Sequence, residues 1–207
     1  MTSVPRRSQA ERSAATREAL LDAAIECLID EGYASVTTSA VAVRAGVSRG
    51  AHLHHFQTRN ALVAAAVEAL AQRWLGELRE ATAGLPEGPD RTLAGLDLLW
   101  AHYASPLYQG ALDLWTDARS DDELRAILLE VERFLDRETL EVAHVLFPEV
   151  AGTDEFEELI QFAVATVRGL ATLDLLHPGG ERNRQQWAHC RLRVAAQFSS
   201  TASSSTA

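Results

Sequence analysis

Lysine is missing from this chain of 207 residues, and all 19 of its basic residues are arginine. Cysteine occurs only at Cys27 and Cys190, and two thiols without metal-ligand spacing are typical of the reducing cytoplasm. No run of about 18 apolar residues exists, so we expect no membrane-spanning helix. The first 18 residues are polar and contain arginines, which argues against a signal peptide. These absences together predict a cytoplasmic protein.

Strand patterns and catalytic motifs are also missing. No alternating run of valine, isoleucine, threonine and tyrosine extends beyond a few residues, so we expect an all-α chain. The sequence contains no G-x-S-x-G, no H-E-x-x-H, no phosphate-binding glycine loop and no Cys–His pairing typical of catalysis. We therefore expect no enzymatic activity, no cofactor and no metal site.

The net charge of −10 at first argues against binding nucleic acid, but the charges are unevenly distributed. Residues 1–60 hold seven arginines and six acidic residues, with three histidines in addition, whereas residues 61–207 hold twelve arginines and twenty-three acidic residues. An acidic body limits non-specific DNA binding and leaves a focal site near the N-terminus.

Apolar periodicity between glycine and proline breaks predicts about nine helices. The expected helices span about 13–31, 38–45, 49–56, 58–83, 90–104, 106–118, 121–146, 154–176 and 181–198. Residues 1–12 are expected to form a flexible basic arm, and 199–207 a disordered polar tail.

The segment from Thr37 to Phe56 has the features of a helix-turn-helix. Thr37 and Ser48 can each cap a short helix, and Gly46 can form the turn between the two. The third helix would then present short or polar groups to the major groove of DNA, where Arg49 can pair with a guanine edge and Ala51 can touch a thymine methyl.

These residues, with others at fixed spacing from Arg17 to Leu70, resemble the DNA-binding domain of the tetracycline-repressor (TetR) family. The matching elements are Ala23-Ala24, Gly32-Tyr33, Thr37-Thr38, Ala42, Ala45-Gly46-Val47-Ser48, Gly50, His54-His55-Phe56, Thr58-Arg59 and Leu62. The resemblance covers about a quarter of the chain. It implies a three-helix DNA-binding domain over 13–60, followed by a larger helical domain for ligand binding and dimerisation over 61–198.

The resemblance also implies individual roles. Thr37 and Thr38 match backbone-contacting positions, and Ser39 a position that can reach a base. His55 and Arg59 match phosphate-contacting positions. The full set of DNA-contacting candidates is Thr37, Thr38, Ser39, Ser48, Arg49, Gly50, Ala51, His52, His54, His55 and Arg59.

The chain departs from the family pattern at His52 and Leu53, where the family usually has leucine followed by a phosphate-contacting tyrosine. His52 either replaces that contact or turns inward. A metal site formed by His52, His54 and His55 is disfavoured, because consecutive and alternate helix positions face different directions.

The second domain carries aromatic residues close together in sequence, and the resemblance implies that its helices enclose a ligand. Trp100, Tyr103, Tyr108 and Trp115 are the candidates for lining an apolar pocket, although ordinary core packing is the alternative for each of them. The effector would be a largely apolar small molecule.

The last two helices, near 154–176 and 181–198, are the expected homodimer interface, since the resemblance places it there. Their apolar residues include Leu170, Leu173, Leu176, Trp187, Leu192 and Phe198. The sequence as a whole predicts a regulator, most simply a repressor, that binds a palindromic operator on double-stranded DNA as a dimer and is released by a small molecule. The alternatives are a helical protein-interaction module and a helical enzyme retaining a helix-turn-helix-like motif.

Overall fold

The computed structural model describes residues 8–174 and 180–204, and within them every regular element is a helix. The all-α prediction is therefore confirmed for the described part of the chain. The helices are α1 (Gln9–Glu31), α2 (Thr38–Arg44), α3 (Arg49–His55), α4 (Arg59–Thr82), α5 (Pro89–Tyr103), α6 (Pro106–Ala118), α7 (Asp122–Leu146), α8 (Phe156–Asp174) and α9 (Glu181–Ser204), with a short 3-10 turn at Tyr33–Ser35. None of these helices is both long and apolar enough to cross a membrane.

Both ends of the chain are more helical than expected from the sequence. Helix α1 starts at Gln9, because the Ser8 hydroxyl accepts from the Glu11 amide at 3.1 Å while the Glu11 carboxylate accepts from the Ser8 amide at 2.6 Å. Helix α9 continues to Ser204, where Thr201 donates to the Glu155 carboxylate at 3.1 Å. The predicted arm and tail are wrong over these residues, and their remaining parts, 1–7 and 205–207, lie outside the described residues.

The described residues form two compact units. The first contains the chain up to Ala71 together with Gly110–Val131, and the second contains Gln72–Gln109 and the described residues from Glu132 onward. The sequence predicted two domains that are continuous in the chain and meet at residue 60. The observed units are not continuous in the chain, because α4, α6 and α7 each contribute residues to both of them.

The core of the first unit is built from small and aliphatic side chains. Helix α1 contributes a buried apolar face, α2 and α3 pack beside it, and the start of α4 adds further buried apolar residues to the unit. The buried side chains are Leu20, Leu21, Ala24, Leu28, Val36, Val41, Ala42, Phe56, Leu62 and Val63. Such a core holds short helices while leaving their other faces in solvent.

In the second unit, α5, α8 and α9 pack against one another around large aromatic side chains. The rings of Phe147 and Phe198 lie 4.6 Å apart and are essentially inaccessible to solvent. Gly95 lets α5 approach this pair, because a Cβ atom there would lie 2.9 Å from a Phe147 ring carbon. The Asp97 carboxylate connects α5 to α9 by accepting from the Trp187 indole at 3.0 Å and from Arg191.

Candidate nucleic-acid interface and effector residues

The helix-turn-helix is set up by two capping side chains and one glycine. The Thr37 hydroxyl accepts from the Ala40 amide at 3.1 Å, and the Ser48 hydroxyl accepts from the Ala51 amide at 3.2 Å. Gly46, at a φ of 65°, takes the left-handed conformation that the turn requires. The Val47 amide then donates to the Ala42 carbonyl at 3.0 Å, which fixes the start of α3 against α2.

Most of the predicted DNA-contacting residues lie on the accessible surface of this motif. Thr37, Ser39, Ser48, Arg49, Gly50 and His54 are exposed, and Thr38, Ala51, His55 and Arg59 are half-buried. Arg49, at the first position of α3, is free to extend away from the core. Accessibility permits the predicted contacts, which stay predictions at the level of single residues.

His52 differs from the rest of the predicted set because it points inward. Its side chain is only 1% exposed, and neither of its ring nitrogens has a hydrogen-bond partner. Burial, with a smaller contribution from His55, lowers the pKa of His52 and keeps its ring neutral. A side chain buried in this way cannot reach a DNA phosphate while the motif stays folded, so the prediction that His52 contacts DNA is corrected. Leu53, the next residue, is the exposed one.

Arg59 has a role within the unit that the sequence did not suggest. Its Nε donates to the Val36 carbonyl at 2.7 Å and its Nη2 to the Tyr33 carbonyl at 2.5 Å, while the guanidinium carbon lies 3.9 Å from the centre of the Tyr33 ring. Arg59 therefore ties the loop between α1 and α2 to the start of α4. The predicted contact of the half-buried Arg59 side chain with a DNA phosphate stays a prediction, in addition to this structural role.

Arg17 on α1 is a neighbour of the recognition helix that sequence reasoning missed. Its guanidinium carbon lies 5.6 Å from the centre of the Phe56 ring, directly after the end of α3. Burial, His54 and the charge of Arg17, in that order, lower the pKa of His55. No local pattern could have revealed this proximity, because Arg17 and Phe56 are brought together only by the packing of α1 against α3.

The four predicted effector residues are divided between the two compact units. The rings of Tyr103 and Tyr108 meet edge to face at 4.8 Å, but Trp100 stacks on Trp187 at 5.1 Å, and Trp115 belongs to the first unit. An effector contact by each of the four residues stays a prediction.

The tyrosine pair belongs to a larger group in the second unit, which we name the Arg168 cluster. Its members are Trp74, His102, Tyr103, Tyr108, Glu132 and Arg168. The Trp74 and His102 rings stack at 3.9 Å, and Arg168 donates to the Tyr108 hydroxyl at 3.2 Å and to both Glu132 carboxylate oxygens at 3.4 Å. Burial, and then the charge of Arg168, lowers the pKa of His102 to about 3, so that Arg168 is the cation of the cluster at neutral pH.

No group of three or more histidine, cysteine, aspartate or glutamate side chains within residues 8–174 and 180–204 is arranged to hold a metal ion. Cys27 is buried and reduced, and burial raises the pKa of its thiol. Neither observation points to catalytic chemistry at these residues.

Comparison with known proteins gives consistent matches. Residues 20–66 match the family model described as "Bacterial regulatory proteins, tetR family". The chain is 32% identical to the HTH-type transcriptional regulator CymR of Pseudomonas putida, over 86% of this chain and 88% of that protein. It is 28% identical to the HTH-type transcriptional regulator BetI of Rhizobium meliloti, over 74% of this chain and 75% of that one.

The fold has a solved counterpart in a putative transcriptional regulator from Pseudomonas aeruginosa PAO1. The two chains are 25% identical, superpose with a TM-score of 0.67, and each is covered over 95% of its length. The N-terminal match therefore extends, at the level of the fold, through the helices that follow the helix-turn-helix.

Proposed function

Because this chain belongs to the tetR family of bacterial regulatory proteins, whose members are DNA-binding transcriptional regulators and not enzymes, we propose that it is a repressor that binds a palindromic operator as a homodimer and is released by a small molecule. Such a regulator acts where its DNA is, so the proposal includes the cytoplasm as its location. The operator, the dimer and the effector each have separate support in the molecule.

The capped helix-turn-helix with an exposed Arg49 is the observation that carries the proposal. The Thr37 and Ser48 caps fix two short helices, and Arg49 and Gly50 stand exposed at the start of the second one. Arginine can make two hydrogen bonds to a guanine edge in the major groove. Polar residues flanking it, such as Ser39 and His54, are available for phosphate or base contacts.

Apolar side chains left exposed on α8 and α9 support the dimer. Phe162 is 52% exposed, Leu173 47% and Leu192 56%. Trp187 and Phe198 are buried within the chain, which corrects their predicted place in the interface, and Leu176 lies outside the described residues. Covering the exposed apolar residues with a second copy would remove them from water and give two recognition helices for the two halves of a palindrome.

The test of the DNA proposal is binding to the duplex upstream of the protein's own gene, compared with random duplex, over a range of salt concentrations. We expect sequence preference together with a steep fall in affinity as salt rises. Arg49→Ala should weaken operator binding by about tenfold to a hundredfold and relax the preference at one base pair. Arg125→Ala, which removes an exposed arginine from α7 in the same unit, is the matched control and should leave operator binding unchanged. An absence of preference across a library of random duplexes would contradict the proposal.

The dimer is tested by analytical ultracentrifugation. The wild-type protein should sediment as a dimer at micromolar concentration, and Phe162→Glu should shift it to monomer because two buried carboxylates would face an apolar interface. Val145→Glu is the control, since Val145 is similarly exposed but lies on α7. A wild-type protein that is monomeric under these conditions would refute the dimer.

A further inference from the structure

The Arg168 cluster is unusual among the polar contacts of the second unit, because a cation is held among aromatic rings. The Arg168 side chain is 26% exposed, and its guanidinium carbon lies 6.0 Å from the Tyr103 ring centre. Tyr103 and Tyr108 are buried beside it, and Trp74, also buried, stacks on His102. The guanidinium can bind the carboxylate of a small organic acid, and the aromatic rings beside it can pack against the apolar part of that acid.

The anion that Arg168 holds in this structure is the carboxylate of Glu132. Both oxygens face the guanidinium in a fork-to-fork arrangement, yet each N–O distance is 3.4 Å. Well-formed arginine–carboxylate pairs have distances of about 2.7–2.9 Å, so this pair is loose. The Glu132 side chain is 29% exposed and can turn into water, so another carboxylate can take its place on the guanidinium.

The remaining members of the cluster favour an anion over a cation as the occupant. His102 stays neutral at neutral pH, so the positive charge of the cluster is that of Arg168. The Tyr108 hydroxyl already accepts from Arg168, and burial raises its pKa, so that it keeps its proton. The carboxylate paired with Arg168 is that of Glu132, and a second carboxylate, Asp136, adds to burial in raising the pKa of Tyr103.

We propose that the Arg168 cluster is the effector site and that the effector is a small organic acid, whose carboxylate replaces Glu132 on Arg168 and whose flat apolar part lies against Trp74 and His102. This inference rests on the proposed function, since it names the ligand class of the same regulator. It differs from the effector expected from the sequence, which was apolar and carried no required charge.

The experiment is calorimetric titration of the full-length protein with benzoate, phenylacetate and indole-3-acetate, each paired with its neutral amide. We expect at least one acid to bind, with its amide about tenfold weaker or more. Arg168→Gln should lower the affinity for that acid by a similar factor, and Arg168→Lys should retain part of it. Glu132→Gln should bind it as tightly as the wild type or more tightly, because the competing carboxylate is gone.

Arg184→Gln is the matched control, since it removes an exposed arginine from α9 of the same unit. The inference is overturned if none of the acids binds, if the amides bind as well as the acids, or if Arg168→Gln has no effect. It is also overturned if Glu132→Gln loses affinity as Arg168→Gln does, because the ion pair would then act only as a structural contact.

Binding of the protein to its operator, measured in the absence of the acids and amides, distinguishes a failure of this inference from a failure of the proposed function. If the wild-type protein binds its operator but no acid, the regulator stands and the ligand class is wrong. If acids bind through Arg168 but the protein shows no preference for any DNA sequence, the site stands and the proposed function fails.

Discussion

The helix-turn-helix and the α5–α8–α9 bundle hold their helices together by different means. The first has short helices, side-chain caps at Thr37 and Ser48, and an arginine that binds loop carbonyls. The second has long helices and interlocked aromatic rings such as Phe147 and Phe198. A small core leaves one face of the motif free for DNA, but it makes the fold depend on a few polar contacts. In a large aromatic core, many van der Waals contacts together stabilise the packing of the helices.

The largest expected effect is in the bundle. Phe198→Ala should lower the free energy of unfolding by about 3–5 kcal/mol, because it removes a fully buried ring and leaves a cavity beside Phe147. Chemical denaturation followed by tryptophan fluorescence measures the loss, and Val145→Ala, which truncates an exposed side chain outside the helices of the proposed dimer interface, is the control. A loss below about 1 kcal/mol would mean that the bundle does not depend on this aromatic pair.

Arg59→Ala should have the next largest effect, in the helix-turn-helix. It deletes two hydrogen bonds to the carbonyls of Tyr33 and Val36 and the stacking on the Tyr33 ring, for an expected loss of about 2–3 kcal/mol. Amide hydrogen exchange in the Tyr33–Ser35 turn and α2 should rise accordingly. Arg12→Ala, an exposed arginine near the start of α1, provides the comparison.

The same variant separates the two roles of Arg59. If the motif keeps its wild-type stability and only DNA affinity falls, the side chain acts mainly as a phosphate contact, and the supporting role inferred from its hydrogen bonds is wrong.

A smaller effect, of opposite sign, is expected at His52. Replacing this buried ring, whose nitrogens have no partner, with leucine should stabilise the motif by about 1–2 kcal/mol at neutral pH. Denaturation with hydrogen exchange in α3 measures the gain. Destabilisation by His52→Leu would show that the imidazole has a packing role that leucine cannot fill.

His52 also predicts how the stability of the motif depends on pH. Its pKa is lowered in the folded protein, while in the unfolded chain it is about 6.5. Above that pH both states are neutral, so His52 adds no pH dependence. As the pH falls below it, the unfolded chain takes up the proton more readily than the folded one, and stability falls by up to about 1.4 kcal/mol per pH unit. His52→Leu should remove this slope just below about pH 6.5, whereas the contribution of His102 in the second unit should remain. An unchanged slope would mean that His52 is protonated in the folded state.

Local signals in the sequence were enough for the helices and for the helix-turn-helix. Caps, a turn glycine and apolar periodicity act over a few residues, so they predicted the observed helices to within a few residues over most of the chain. They failed at the two ends, where the Ser8–Glu11 box and the contact of Thr201 with Glu155 extend α1 and α9.

What only the tertiary structure decided is which polar side chains turn inward and which partner they meet. His52 follows the helical pattern of its neighbours, but the packing of α3 against α1 and α2 decides that it is buried. Arg168 meets Tyr108 and Glu132, which are 60 and 36 residues away in the chain. The sequence by itself determined the helices, the caps and the surface offered to DNA, because those depend on neighbouring residues. The hydrogen bonds of Arg59 to the Tyr33 and Val36 carbonyls and the contacts of the Arg168 cluster depend on how distant segments pack, which no short sequence pattern can predict.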